Sequence, residues 1–271
     1  MTPAGFDKRQ IINDDTAKHI TRVEELGYEL IEKTQISEVL SKHGFSASDV
    51  DKYDEKKPSI WQTLSKQKNK FAHLIRTAVY ELAAKENAVI VGRGAQVILE
   101  DIPGTLHVRV IAPFAIRVSR LMEQMGYNEE NAQRIIRQSD RDSSGYISTY
   151  FGANWDDSDL YDLVINTRTM TLNTGVEMIT RAVGTDEFKK SPEVFEKLRD
   201  LALTQKVKAV LLEVSGLEGA NLDVQKGVVI LTGSARSFAV KEECEKAISN
   251  ITGITKVNNQ LYVTSENVSI F

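Results

Sequence analysis

The chain has 271 residues, of which 41% are hydrophobic and 27% are charged, a composition typical of a folded globular protein that excludes general disorder. The 34 basic and 38 acidic side chains give a net charge of −4. Because proteins that bind nucleic acid through its phosphates carry a basic excess, we expect no nucleic-acid partner.

The cysteine, the histidines and the first ten residues bear on metal binding and on the location of the protein. Cys244 is the single cysteine and falls on the apolar positions of a helical pattern, so we expect it to be buried. The four histidines lack the spacing of a zinc site, and no metal site is predicted. Residues 1–10 contain no apolar signal segment, and no apolar run approaches the ~18 residues of a membrane span, so the expected location is the cytoplasm.

The first part of the chain has apolar residues at helical spacing, and a strand-like apolar run follows. Residues 20–33 have helical character, and residues 71–82 repeat apolar side chains at intervals of three and four, which predicts an amphipathic helix. Residues 88–91 form a continuous apolar run that ends at Gly92. Such a run is typical of a central parallel strand that is buried on both faces.

Strands and helices then alternate as far as Val183. The pattern predicts two further strands and three helices: strands 106–111 and 163–165, and helices 114–125, 129–140 and 172–183. This alternation is typical of βαβ units in a largely parallel sheet. Ligands of such sheets bind beyond the carboxyl ends of the strands, so we expect a site at the ends of these strands.

The pattern changes again after the polar segment 184–192. Helix, strand, strand, helix and strand follow in that order, which predicts a small α+β module with an antiparallel hairpin at residues 225–227. We therefore predict an α/β domain over residues 1–185, a linker and helix start over 186–203, and a second module over 204–271.

Glycine and arginine flank the first strand end. Gly92-Arg93-Gly94 lets the backbone turn sharply and approach a ligand, and Arg93 can hold a phosphate with two hydrogen bonds. The alternative is a plain turn that leaves the strand with an exposed arginine.

Five more arginines lie on two successive predicted helices. Arg117 and Arg120 are three residues apart, and Arg134, Arg137 and Arg141 repeat at three and four. Guanidinium groups in this arrangement can surround phosphates whose charge is being moved. Two solvated helix faces with ion pairs inside each helix are the alternative.

Taken in order, these motifs resemble the cytidylate-kinase-like family of nucleoside monophosphate kinases. The segments that carry the resemblance are VIVGRGA at 89–95, LHVR at 106–109, DRD at 140–142, FG at 151–152, WDD at 155–157 and LYDLVINT at 160–167. The match is best over residues 58–183. It implies a P-loop-kinase-like parallel sheet flanked by helices, with ATP as phosphoryl donor, Mg²⁺, and a pyrimidine monophosphate as acceptor.

The resemblance also implies a set of site residues. They form a nucleotide-binding site of Gly92, Arg93 and Gly94 at the acceptor, Arg117 and Arg120 near the donor, and Arg137, Arg141 and Asp142 in a mobile lid or its hinge. It assigns no catalytic residue in this chain.

One part of the family pattern is missing from the sequence. A glycine-rich loop, whose amides hold the donor phosphates, should precede Leu26-Gly27-Tyr28. Residues 11–19 read IINDDTAKH, with no glycine and two acidic residues that would repel a triphosphate. ATP-dependent phosphoryl transfer is therefore predicted to be very slow or absent.

The C-terminal module resembles a BON domain over residues 204–264. The resemblance rests on LDV at 222–224, GVVILTG at 227–233 and GITKVNNQL at 253–261. BON domains are linked to association with membranes, ligands or proteins, so the resemblance implies a protein or membrane-surface partner and no chemistry.

Three hypotheses follow for the function. The first is a degenerate kinase (a pseudokinase) that senses a nucleotide, CMP or AMP, and is coupled to the BON module. The second is an active CMP kinase, a transferase that uses ATP and Mg²⁺. The third is a protein-interaction scaffold. The base and the oligomeric state stay open.

Overall fold

Residues 27–43, 66–85 and 87–264 are described by the computed structural model. Their strands, in chain order, are β1 (Glu29–Ile31), β2 (Ala88–Ile90), β3 (Val108–Ile111), β4 (Leu163–Asn166), β5 (Leu217–Gln225), β6 (Val228–Ala235), β7 (Lys256–Asn259) and β8 (Tyr262–Val263). Their α-helices are α1 (Lys33–Lys42), α2 (Lys66–Ala83), α3 (Ala95–Ile98), α4 (Phe114–Met125), α5 (Glu129–Phe151), α6 (Leu172–Val183), α7 (Pro192–Leu211) and α8 (Phe238–Ser249).

The described residues divide into two units. The first unit contains residues 27–34 and 87–191, and the second contains residues 35–43, 66–85 and 192–264. Each unit has its own sheets and its own helices, and the chain passes from one to the other several times.

Parallel strand pairs joined by helices make up the first unit. β1 pairs with β2, and β3 pairs with β4, in both cases in parallel. Helices α3 to α6 follow or connect these strands. The predicted α/β class, with parallel strands flanked by helices, is confirmed.

Three local predictions for this unit differ from the structure. Within the predicted helix at 20–33, residues 29–31 are a strand, because they find parallel partners in residues 88–90. Strand β2 is half-buried and pairs on one side only within the described residues, and Val91, directly after it, is 46% exposed. Helix α5 continues to Phe151, beyond the predicted end at Asp140. Its last turns are held by buried Tyr146, Ile147 and Tyr150.

An antiparallel hairpin with two added parallel strands forms the sheet of the second unit. β5 pairs with β6 in antiparallel, and β7 and β8 pair with β6 in parallel. The hairpin turn places Lys226 at φ 50° and Gly227 at φ 75°, the left-handed conformation that glycine adopts at little cost. This order confirms the predicted helix–strand–strand–helix–strand module.

Helices α7 and α8 cover the sheet of the second unit. Their core consists of Val207, Val214, Val224, Val229, Leu231, Ala235, Cys244, Ile248 and Leu261. Cys244 is fully buried, as predicted, and burial raises the pKa of its thiol.

Helix α2 packs along α7 within the second unit. The predicted boundaries, by contrast, leave residues 66–83 inside the first domain. Residues Leu198, Ala202, Gln205 and Ala209 of α7 are buried, although they lie on the face opposite Leu203 and Val207, which pack into the sheet core. Helix α2 covers this second face, so the second unit is larger than the BON-like module alone.

Polar side chains join α2 to the residues around α7. Lys70 Nζ donates to Glu213 Oε1 at 2.8 Å, and Lys206 Nζ donates to Glu81 Oε1 at 2.6 Å. His73 Nδ1 lies 2.7 Å from Gln205 Oε1 and donates to it in the tautomer that carries hydrogen there. None of the helices in the described part of the chain is long and apolar enough to cross a membrane.

Truncation of the buried face of α2 should destabilise the second unit. Phe71 is fully buried, so Phe71→Ala should cost about 3–5 kcal/mol of unfolding free energy in urea titrations. Gln67→Ala, at an exposed position of the same helix, is the control and should cost less than about 0.5 kcal/mol. Faster amide exchange should appear in residues 192–264. Faster exchange confined to residues 87–191 would contradict the packing of α2 in the second unit.

Acid should weaken the second unit through His73. Burial lowers the pKa of His73 below its ordinary value of 6.5, against the opposing effect of its hydrogen bond to Gln205. The unfolded chain therefore binds the proton first as the pH falls, so this contribution to stability is complete above about pH 6.5 and declines below it.

Unfolding in urea at several pH values measures this effect. The loss of stability below pH 6.5 should be smaller in His73→Asn, and part of the slope that remains should come from His43, whose pKa burial also lowers. An identical pH profile in the wild type and in the variant would show that His73 does not contribute.

Candidate functional site

The turn after β2 is tightly built. Gly92, Arg93 and Gly94 have φ values of 75°, 60° and 71°, three successive residues in the left-handed region. A Cβ atom at Gly94 would lie 2.3 Å from the Phe151 ring, so only glycine fits there. The loop is thus fixed against the carboxyl end of α5.

Arg93 points inward from this turn. Its side chain is buried, with 4% of the residue exposed, and it already has an interaction within the protein. The alternative of a turn with an exposed arginine therefore does not describe this loop. The expectation that Arg93 contacts the acceptor nucleotide stays a prediction.

A cleft of about 770 Å³ opens at the carboxyl end of β3. Its walls come from β3, α4, α5 and the loop that follows α5. The lining residues are Arg109, Val110, Ile111, Ala112, Arg117, Asp140, Arg141, Ser144, Gly145, Ser148, Thr149, Trp155 and Asp156. This position agrees with the sequence expectation of a site at a strand end.

One ion pair joins the two helices of the cleft. Arg117 on α4 donates from Nη1 and Nη2 to the two carboxylate oxygens of Asp140 on α5, at 2.7 and 2.9 Å. The Nε atom of Arg117 is buried and has no hydrogen-bond partner among the described residues. The pair is bidentate, the geometry in which arginine and carboxylate bind most strongly.

Another ion pair in the cleft lining joins β3 to the loop after α5. Arg109 of β3 donates from Nη2 to Asp156 Oδ1. Its guanidinium carbon lies 5.1 Å from the ring centre of Trp155 and 5.5 Å from that of Tyr161, both within the range of cation–π attraction. The Tyr161 hydroxyl donates to the Trp155 carbonyl at 3.1 Å, and burial raises its pKa, which keeps it a donor.

Two further arginines of α5 are exposed, and the contacts given for them are to a neutral amide and to an aromatic ring. Arg141 lines the cleft, is exposed, and donates from Nη2 to Gln138 Oε1 at 2.7 Å. Arg137 is exposed and lies over the Phe114 ring at 4.8 Å. Of these two, only Arg141 is a lining residue.

Arg120 and Asp142, both predicted site residues, have structural contacts elsewhere. Arg120 donates to the hydroxyl and the carbonyl of Thr167, at 3.0 and 2.6 Å, and so ties α4 to the end of β4. Asp142 is buried and accepts from Gln138 Nε2 at 2.9 Å.

The structure therefore brings only part of the predicted site together. Among the eight predicted residues, Arg117 and Arg141 line the cleft. The others lie outside its lining: Gly92, Arg93, Gly94, Arg120, Arg137 and Asp142.

Sequence reasoning assigned no role to several cleft residues. Arg109, Asp140, Trp155 and Asp156 lie in the segments LHVR, DRD and WDD. The usable signal was Arg109 itself, a charge inside an apolar strand. Such a residue needs a partner, and its partner comes from residues 46 and 47 positions further along the chain.

The chain is similar to two protein families, to a curated protein and to a solved structure. The cytidylate kinase-like family matches residues 22–169, and the BON domain matches residues 199–265. A uronate isomerase from Corynebacterium glutamicum is 33% identical over 97 residues, which are 36% of this chain and 19% of that protein. This chain thus spans about a fifth of the length of that curated relative.

A solved structure is also similar to this chain. A crystal structure of an uncharacterized protein from Eubacterium ventriosum has a TM-score of 0.44 and 23% identity, and covers 60% of this chain and 88% of its own. The first family match covers more than half of the chain. The protein therefore belongs to the cytidylate kinase-like family and carries a C-terminal BON domain.

Proposed function

We propose that this protein binds a nucleotide, CMP or AMP, in the cleft at the end of β3, and that it acts as a nucleotide sensor coupled to its BON domain. The observation that carries the proposal is the convergence of Arg109, Arg117 and Arg141 on one cleft. Its volume of about 770 Å³ lies within the ~300–1,000 Å³ of small-ligand sites.

Charge and hydrogen-bonding groups in the cleft suit a phosphate ester. Its lining contains three arginines and two aspartates, so its net charge is +1 (three minus two). Ser144, Ser148 and Thr149 add hydroxyl groups that can donate to phosphate or ribose oxygens. The Trp155 ring offers an apolar surface on which a base can stack.

The sequence before β1 favours sensing over catalysis. The segment 11–19, where the family's glycine-rich loop is expected, contains no glycine and lies outside the described residues. Without backbone amides to hold the donor phosphates, ATP has no equivalent binding loop in the sequence. Binding of a monophosphate does not require that loop.

The path of the chain supports coupling between the two units. Strand β1 ends at Ile31 and α1 begins at Lys33, and most of α1 belongs to the second unit. Helix α2 belongs to the second unit and ends at Ala83, a few residues before β2 of the first unit. Each strand of the β1–β2 pair is therefore joined to a helix of the second unit by a short connection.

Removal of the most exposed cleft arginine should weaken nucleotide binding. Arg141→Ala should lower the affinity for CMP or AMP by about 1.5–3 kcal/mol in calorimetry, because a hydrogen bond to a charged group is lost. Arg134→Ala is the matched control, since Arg134 is exposed on the same helix and bonds to a nearby amide, Asn131, but does not line the cleft. Equal dissociation constants for the two variants would place the nucleotide elsewhere.

Phosphoryl transfer from ATP to CMP should fall far below the usual kinase range. A coupled assay with Mg²⁺ should give a turnover well under the ~1–100 per second of kinases, because the donor loop is missing. The alternative of an active CMP kinase is favoured by the family match itself. A turnover within that range would establish the alternative and refute the sensor proposal.

A further inference from the structure

We propose that Asp156 is an internal counter-ion that occupies the phosphate position at Arg109, and that a bound nucleotide displaces it. The inference rests on the proposed function, because it concerns regulation of the same cleft. Its basis is an asymmetry within one ion pair: the Arg109 side chain is 18% exposed, and that of Asp156 is 70% exposed.

The arginine of this pair is held in place without the carboxylate. Arg109 extends from β3, and its guanidinium group lies near the rings of Trp155 and Tyr161. Tyr161 is in turn fixed by its hydroxyl bond to the Trp155 carbonyl and by the amide of Gln96 at 3.5 Å. These contacts hold the guanidinium in the lining of the cleft without help from the carboxylate.

The carboxylate of the pair is free to leave. Asp156 lies in the loop after α5, and the side-chain contact that fixes its carboxylate in the described chain is the bond to Arg109. Because the Asp156 carboxylate is largely exposed, water and salt compensate for much of its loss when it leaves the arginine. A phosphate group carries more charge and can accept two parallel bonds from one arginine, so it competes well for this position.

The other ion pair of the cleft has a different role. Arg117 and Asp140 share two hydrogen bonds, and both side chains are 36% exposed. Apolar side chains also pack α4 against α5. The bidentate pair adds to that helix contact, so Asp140 is a structural partner. The cleft thus combines one fixed arginine–carboxylate pair with one exchangeable pair.

The exchangeable pair has a consequence for affinity. An incoming phosphate must replace Asp156, so the wild-type cleft binds anions more weakly than its arginines alone would allow.

Neutralising Asp156 tests this inference. Asp156→Asn keeps an oxygen that can accept from Arg109 but removes the competing charge, so CMP and inorganic pyrophosphate should each bind about two- to fivefold more tightly in calorimetry. Asp159→Asn is the control, because Asp159 is exposed, three residues away and outside the cleft lining, and the variant has the same net charge. The gain should disappear in Asp156→Asn combined with Arg109→Gln, with folding of each variant checked by thermal melting.

The outcomes separate this inference from the proposed function. If the wild type binds CMP and Arg141→Ala weakens it, but Asp156→Asn binds no better than Asp159→Asn, the counter-ion role is overturned and the binding site stands. If the wild type shows no binding and Asp156→Asn does, the counter-ion role is supported and the wild type is not a sensor of CMP. If no variant binds either ligand, both proposals are overturned.

Discussion

The contact between α4 and α5 positions the walls of the cleft, because apolar side chains of the two helices pack together and the bidentate ion pair between Arg117 and Asp140 joins them. Two hydrogen bonds in a half-exposed position fix the spacing of the helices more firmly than a single exposed bond would. Ser144, Ser148 and Thr149 line the cleft one to three turns further along α5. Their placement therefore depends on the same helix contact.

Within that frame, the cleft arginines differ in how much freedom they have. Arg117 bonds to a carboxylate of the neighbouring helix, and Arg109 lies near two aromatic rings. In the described part of the chain, the bond given for Arg141 is to a side chain of its own helix. The affinity of the cleft for the proposed nucleotide therefore depends on the cost of releasing each existing partner, as well as on the number of positive charges. The proposed sensor role requires this kind of balance, since a site that binds its ligand too tightly does not respond to changes in concentration.

Helix α2 gives the BON-containing unit a second layer that a small α+β module lacks. Helix α7 has apolar residues on two faces, and α2 covers the one that the sheet does not. The residues of α2 lie inside the segment that matches the kinase-like family, so the family boundary and the packing boundary differ. The chain therefore cannot be cut between the two family matches without loss of buried contacts.

The sequence by itself determined the α/β alternation, the hairpin module and the helices α2, α4, α6 and α8. Apolar residues that recur every second position in strands, or every three to four positions in helices, are a local property of the chain. It also brought Arg117 and Arg141 into the candidate site. Only the tertiary structure decided that residues 29–31 are a strand, that α2 packs on α7, that Arg93 is buried, and that Arg109 meets Asp156. Each of these depends on a partner far away in sequence, and no local period records which distant residues will meet.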